Sequence, residues 1–324
     1  MRDRLLNRIN RWILLATLLA VAGISIITCT AIGSSGIALP NSTGIDGGVS
    51  SLIFTQIRLP RVIAALLVGG GLAAAGAGMQ GLFKNPLADP YVIGTSAGGA
   101  LGAALSFVFL KGALLPVAAF SGSCIATLLV YLIARRSGRV SVEILLLAGV
   151  AVSFFFSALL SFFMYRSGEN LHQIMFWLMG GLWNADWGSV TTGFFILPCA
   201  AVLILFAKEI DILSLGDEEA ATLGVNAERI KIALLAVTAC ITGIAVSIAG
   251  SIGFLGLITP HIVRMFTSPG HRFLIPATML AGGILLVWAD TASRTFCNDM
   301  PVGIITAFFG APFLLYLIRR RSGE

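Results

Sequence analysis

The sequence predicts an all-α membrane protein, a polytopic bundle of about ten transmembrane helices, and three observations carry that reading. Hydrophobic residues make up 57% of the 324-residue chain and charged residues 11%, against roughly 25% charged in an ordinary soluble domain. Such a balance cannot coat a water-exposed surface. Apolar stretches of about 17 to 25 residues, each enough to cross a hydrocarbon core of about 30 Å, recur from Trp12 to Ile318 with little between them. The basic residues sit in short clusters at the ends of those stretches, where they would meet lipid headgroups. Residues 1–324 therefore read as one transmembrane domain, and the net charge of +6 points to the membrane surface rather than to nucleic acid.

The first span, at 12–33, follows the basic segment Met1–Arg11. That order is also that of a signal peptide, but the apolar part outruns the usual 7–15 or so residues, so it is read as a retained helix. The second span, 62–83, carries Gly69, Gly70 and Gly71, and the third, 92–110, carries Gly94, Gly98 and Gly102. Small residues let helix backbones approach closely where lipid supplies no hydrophobic drive for association. The fourth to sixth spans follow at 113–134, 142–165 and 190–207. Next comes the longest charged segment between spans, 208–229, expected in the cytoplasm, and then spans at 231–250, 253–267, 273–291 and 302–318. With both termini in the cytoplasm, only Arg58, Arg61, Lys111, Arg166 and Arg294 fall outside, in agreement with the positive-inside rule. A bacterial inner membrane is the expected location. The five cysteines, Cys29, Cys124, Cys199, Cys240 and Cys297, lack CxxC or CxxH spacing, and they read as small packing residues.

Several motifs mislead. Gly76 to Gly81 matches GxGxxG, yet it lies inside an apolar span with no βαβ unit around it, so helix packing is the better reading. Gly94 to Gly98 matches GxSxG, but the chain has only three histidines and no strand-turn-helix context to present Ser96 as a nucleophile. Ser96 is assigned instead to helix contact and the translocation path. Glu169 and His172 have the spacing of a carboxylate-bridged metal site, but a second copy is missing. No Gly-Lys dipeptide occurs anywhere, so the chain lacks a P-loop. It is not expected to be an enzyme or to bind a cofactor; any ATP and Mg must be used by a partner.

Three blocks carry a family resemblance. The first is Arg58-Leu59-Pro60-Arg61 running into Asn85-Pro86-Leu87-Ala88-Asp89-Pro90. The second is Leu213-Ser214-Leu215-Gly216-Asp217-Glu218-Glu219-Ala220 with Leu223-Gly224-Val225. The third is Gly253-Phe254-Leu255-Gly256-Leu257-Ile258-Thr259-Pro260-His261, through Pro301-Val302-Gly303, to Gly310-Ala311-Pro312-Phe313. From about residue 50 to 318 the chain resembles the FecCD-type permeases of type II ABC importers, which take up iron-siderophores, haem or cobalamin. The resemblance implies a ten-helix subunit that forms a homodimer, binds two ATPase subunits, and receives an extracytoplasmic substrate-binding protein. Ser251 stands where the family usually has proline, and Asp299-Met300 replaces the usual Glu-Leu.

Three sites follow. In the cytoplasmic segment, Asp217 is expected to cap a short helix with Glu218 and Glu219 in its first turn and Gly224 ending it in a left-handed conformation. Within this stretch, Leu213 to Gly216 lead in, and Leu215, Ala220 and Leu223 would present an apolar face to the ATPase. Outside, Arg58, Arg61 and Arg294 are expected to meet carboxylates of the binding protein. Exposed pairs of this kind are worth only about 0.2–1 kcal/mol and steer more than they hold. Anchoring to lipid phosphate is the other reading of these arginines, and Asp290 is at helix spacing from Arg294. The pathway should narrow at Ser141 and Val142, and His261 beside Pro260 reads as a structural hydrogen-bonding residue. An ion-coupled secondary transporter is the competing class, but Glu143, Glu169, Asp186, Asp290 and Asp299 all lie outside the middle of the predicted spans. A membrane-embedded enzyme would need a converging polar site, which the sequence does not offer.

Overall fold

The computed structural model describes residues 2–33, 51–136, 139–266 and 270–321, and these are helical nearly throughout. The helices in order are α1 (Arg2–Ala31), α2 (Leu59–Leu82), α3 (Thr95–Leu110), α4 (Leu115–Ala134), α5 (Val142–Arg166), α6 (Leu171–Leu178) and α7 (Trp187–Phe194). They continue with α8 (Ile196–Leu205), α9 (Ala207–Leu213), α10 (Asp217–Thr222), α11 (Ala227–Ala249), α12 (Leu255–Phe266), α13 (His271–Phe296) and α14 (Val302–Arg321). Every predicted span coincides with one of these helices, the sixth with the α7–α8 pair. By length and composition seven stretches are long and apolar enough to cross a membrane, while Thr95–Leu110, Leu255–Phe266 and Val302–Leu317 are shorter apolar helices.

The backbone explains two of the three short helices. Pro90 lies against Gly256, whose carbonyl meets Gly76, and Gly76 is six residues, about 9 Å of rise, before the end of α2. The segment after α2 thus folds back into the bundle, and α3 begins only there. Likewise α12 starts after the non-helical stretch 250–254. Irregular backbone at membrane depth survives only where protein covers it. Here Ile252 is buried, and the neighbouring Gly181 N–H donates to Ala249 O at 2.8 Å.

Helix α2 is the axis of the molecule, buried along nearly its whole length and packed on α11, α12 and α13. Its glycines act as predicted. A Cβ at Gly76 would overlap the Gly256 carbonyl, so the GxGxxG run is a helix contact. In the α3–α4–α5 group a Cβ at either Gly98 or Gly122 would overlap the carbonyl of the other. Gly94 behaves differently from the expectation. It has φ +81 and ends a 3-10 turn, with no packing neighbour closer than 3.5 Å to an added Cβ.

Two connecting elements are absent from the sequence reading. A π turn, Ile53–Arg58, leads into α2. A two-stranded antiparallel hairpin, β1 (Arg135–Arg136) and β2 (Arg139–Val140), joins α4 to α5, with Arg135 opposite Val140. The short helix expected in the charged segment between spans forms as α10, preceded by α9, which the sequence reading does not contain. Arg61 and Lys84 bracket α2, so the two candidate sites lie at opposite ends of the bundle, roughly 30–35 Å apart.

Candidate functional site

At the Lys84 end, α10 is a stiff single element. Gly216, not Asp217, stands at its N-cap, and no side chain caps it. Asp217 is the first helical residue, with Glu218 and Glu219 beside it in the first turn. At the other end Gly224, φ +79, follows Leu223. The Gly224 N–H donates to Ala221 O at 3.0 Å, and the Val225 N–H donates to Ala220 O at 2.9 Å. That double bond pattern is a Schellman stop, which a left-handed glycine permits.

The carboxylate of Asp217 is diverted from capping by a lysine. The Lys231 ammonium, whose side chain is 2% exposed, donates to Asp217 Oδ2 at 2.6 Å, Glu228 Oε1 at 3.1 Å and Val140 O at 3.0 Å. Those three acceptors use all three of its donors. Lys84 adds a weaker contact to Asp217 Oδ1 at 3.5 Å. Burial pushes the Asp217 carboxyl up, but the hydrogen bond and charge of Lys231, with Lys84 behind them, hold it below its ordinary value. Glu228 uses its other oxygen to accept the Val140 N–H at 2.6 Å.

The apolar face of α10 is narrower than expected. Leu215 and Leu223 are 66% and 59% exposed, but Ala220 is fully buried, as is Leu213 at the end of α9. Ala220 points inward because it sits three residues along the helix from Asp217, on the side that the Lys231 contact turns toward the bundle. A cavity of about 770 Å³ opens beside this network, lined by Lys84, Arg136, Arg139, Val140, Ser141, Val142, Asp217, Glu228 and Lys231 among others. It brings Ser141 and Val142 together with Asp217. Ser141 caps α5, its Oγ accepting from Ile144 N–H at 3.4 Å.

At the opposite end the three arginines are neither exposed nor unpaired. Arg58, Arg61 and Arg294 are 5%, 7% and 6% exposed. Arg61 grips buried Asp290 through Nε and Nη2, and its Nη2 also reaches Asp299 Oδ1 at 2.6 Å. Arg294 lies 3.8 Å from Asp290 at one-turn spacing and donates to Cys29 O and Thr291 Oγ1, while Arg58 donates to Ala31 O at 2.7 Å. The physical reason is the length of α13. It runs to Phe296, five residues beyond the predicted span, and carries Asp290 inside the bundle, where a buried carboxylate demands cationic partners.

The chain matches the FecCD transport family over residues 13–320. It belongs to that family. Among relatives, the cobalamin import system permease protein BtuC of Halobacterium salinarum is 44% identical, covering 88% of this chain and 78% of its own. The hemin transport system permease protein HmuU of Yersinia pestis is 41% identical, covering 84% of each. A solved structure described as an inward-facing conformation of a metal-chelate type ABC transporter superposes with a TM-score of 0.86 at 32% identity, covering 94% of this chain and 98% of that one.

Within this FecCD protein the two departures from the family pattern have visible partners. Ser251 Oγ lies 2.6 Å from Ser96 Oγ, so this serine ties the start of α3 to the break before α12. Ser96 does not line the cavity that holds Ser141 and Val142. Asp299 supplies the surface side of the Arg61 grip, its side chain half exposed. His261 meets Phe313 edge to face, with ring centroids 6.2 Å apart. The sequence reading missed Lys231 and Glu228. Their only local signal is a Glu and a Lys three residues apart in the first turns of an apolar helix.

Proposed function

We propose that this chain, by family an ABC-importer permease, moves an iron chelate, haem or cobalamin inward by alternating access, as half of a homodimer driven by two ATPase subunits. The reading rests most on α10, a rigid helix with Leu215 and Leu223 exposed and Asp217 fastened to the bundle. An isolated solvated loop has no need of a Schellman stop or a buried lysine. In this reading α10 lies on the cytoplasmic side, seated in a groove of the ATPase, and closure of the nucleotide dimer pushes on it. The cargoes for which the relatives are named, cobalamin and hemin, support the substrate class.

At the other end, Arg61 is the arginine offered to the extracytoplasmic binding protein, while Arg58 and Arg294 are buried and hold α1 to the bundle through Ala31 O and Cys29 O. Arg61 is the group within reach, because its partner Asp299 is half exposed and exchangeable with an incoming carboxylate. Ser141 and Val142 form the exit narrowing. Ion coupling has little support, since buried Asp290 is neutralised by arginine rather than left to carry a proton or sodium ion.

The test is reconstitution in liposomes with the cognate ATPase and binding protein. Uptake of cobalamin, haemin or a ferric siderophore should require ATP and all three components. Uphill movement by this chain without the ATPase would overturn the proposal.

A further inference from the structure

We infer that Lys231 is the positioning residue that links the coupling helix to the exit gate, a reading that rests on the proposed function. The hairpin β1–β2 and α10 each pack on α11, and the 770 Å³ cavity opens between them. What joins them is one ammonium. Lys231 holds Asp217 of α10 on one side and the Val140 carbonyl of the hairpin on the other. Glu228, one turn earlier on α11, completes the hold by taking the Val140 N–H at 2.6 Å. Both polar groups of residue 140 are therefore fixed by α11, and residue 140 directly precedes the Ser141 cap of α5.

Within the bonded cluster Lys84 and Lys231 stand against Asp217 and Glu228. Its members come from the α2 end, the hairpin, α10 and α11. An ion cluster closed around one buried ammonium, Lys231, is a poor source of net stability but a strong geometric constraint. A push at Leu215, in the turn just before α10, reaches Asp217 two residues on, and Lys231 passes it to Val140 and to the start of α5. The clasp gives that displacement a direct polar route beside the apolar packing of Ala220.

The experiment uses the full importer in nanodiscs, with native cysteines replaced and spin labels at Arg139→Cys on the hairpin and Thr222→Cys on α10. In the parent the distance between labels should stay constant between ATP-free and ATP-bound states, because the two elements move as one. In Lys231→Ala it should change with nucleotide state, and uptake per ATP should fall about tenfold, within the roughly 5–150-fold range of coupling effects. Lys231→Arg should keep most of the coupling. If Lys231→Ala fails to reach the membrane, Glu228→Gln serves, since it removes one carboxylate charge from Lys231 and should loosen the hairpin label alone. An unchanged distance and unchanged uptake per ATP in either variant would overturn the clasp. Leu215→Asp separates this from the proposed function: if it leaves the ATPase bound and coupled, the docking role of α10 fails. If it detaches the ATPase while Lys231→Ala behaves as parent, only the clasp fails.

Discussion

Arg61 and Asp290, 229 residues apart in sequence, meet through two hydrogen bonds from Nε at 3.0 Å and one from Nη2 at 2.9 Å. The pair fastens the start of α2 to α13, the two helices with the largest shared interface. Breaking such a pair by removing one partner strands the other charge, at about 3–5 kcal/mol. Asp290→Ala should therefore lower the thermal unfolding midpoint of the detergent-solubilised protein sharply. Arg61→Leu with Asp290→Leu should recover part of the loss, since it removes the stranded Arg61 charge while buried Arg294 still loses its carboxylate neighbour. If the double variant is no more stable than Asp290→Ala, the pair has another role.

Asp299 should act as an internal competitor for docking. It occupies the surface side of the Arg61 guanidinium, and replacing it with Asn frees that face for a carboxylate of the binding protein. The gain should be modest, about two- to fivefold in affinity, as for an exposed pair worth roughly 0.2–1 kcal/mol. It should be largest at low salt. Arg61→Glu should weaken the same interaction. Biolayer interferometry with the cognate binding protein measures both, and weaker binding by Asp299→Asn would contradict the competition.

The exposed leucines flanking α10, Leu215 and Leu223, should carry the ATPase contact. Burying one leucine side chain is worth about 1.5–3 kcal/mol, so Leu223→Ser should reduce ATPase affinity by roughly tenfold or more. Ala220→Ser, on the buried side, should instead disturb the fold of α10 itself. Co-purification at a series of ATPase concentrations distinguishes the two effects.

The Lys231–Asp217 contact should be insensitive to pH across the neutral range. The Asp217 pKa is depressed in the folded protein. Its contribution is thus present above the unfolded value of about 3.9 and lost only as pH falls through the lower folded value. A spin label at Thr222→Cys should keep constant mobility from about pH 8 to pH 5 and loosen only below about pH 4. A transition near neutrality would mean that another group titrates the clasp.

Gly76→Val should separate α2 from α12. Overpacking at a tight contact costs about 1–3 kcal/mol, and here the obstacle is the Gly256 carbonyl, which cannot rotate away as a side chain can. Folded yield in the membrane fraction should fall, and Gly78→Ala, where the nearest neighbours are side-chain methyl groups at 3.5 Å, should be tolerated.

The sequence by itself determined the ten apolar segments, the stiff helix within 208–229 and the packing role of the Gly76 to Gly81 run. Each of these depends on local quantities: the length of an apolar stretch against a bilayer of given thickness, a glycine after a short acidic helix, a motif without its required context. The i,i+4 spacing of Asp290 and Arg294 was legible in the sequence, but the tertiary structure alone decided the long-range charge partners. Asp290 looked like a residue at a span end until α13 continued to Phe296 and buried it against Arg61. Asp217 looked like a cap until Lys231, on a different helix, took its carboxylate and turned Ala220 inward. Hydropathy reports how far a segment runs through lipid, but the energy of a buried charge depends on which oxygen or ammonium stands within about 3 Å of it. That is set by the crossing of helices distant in the chain, and no local pattern encodes it.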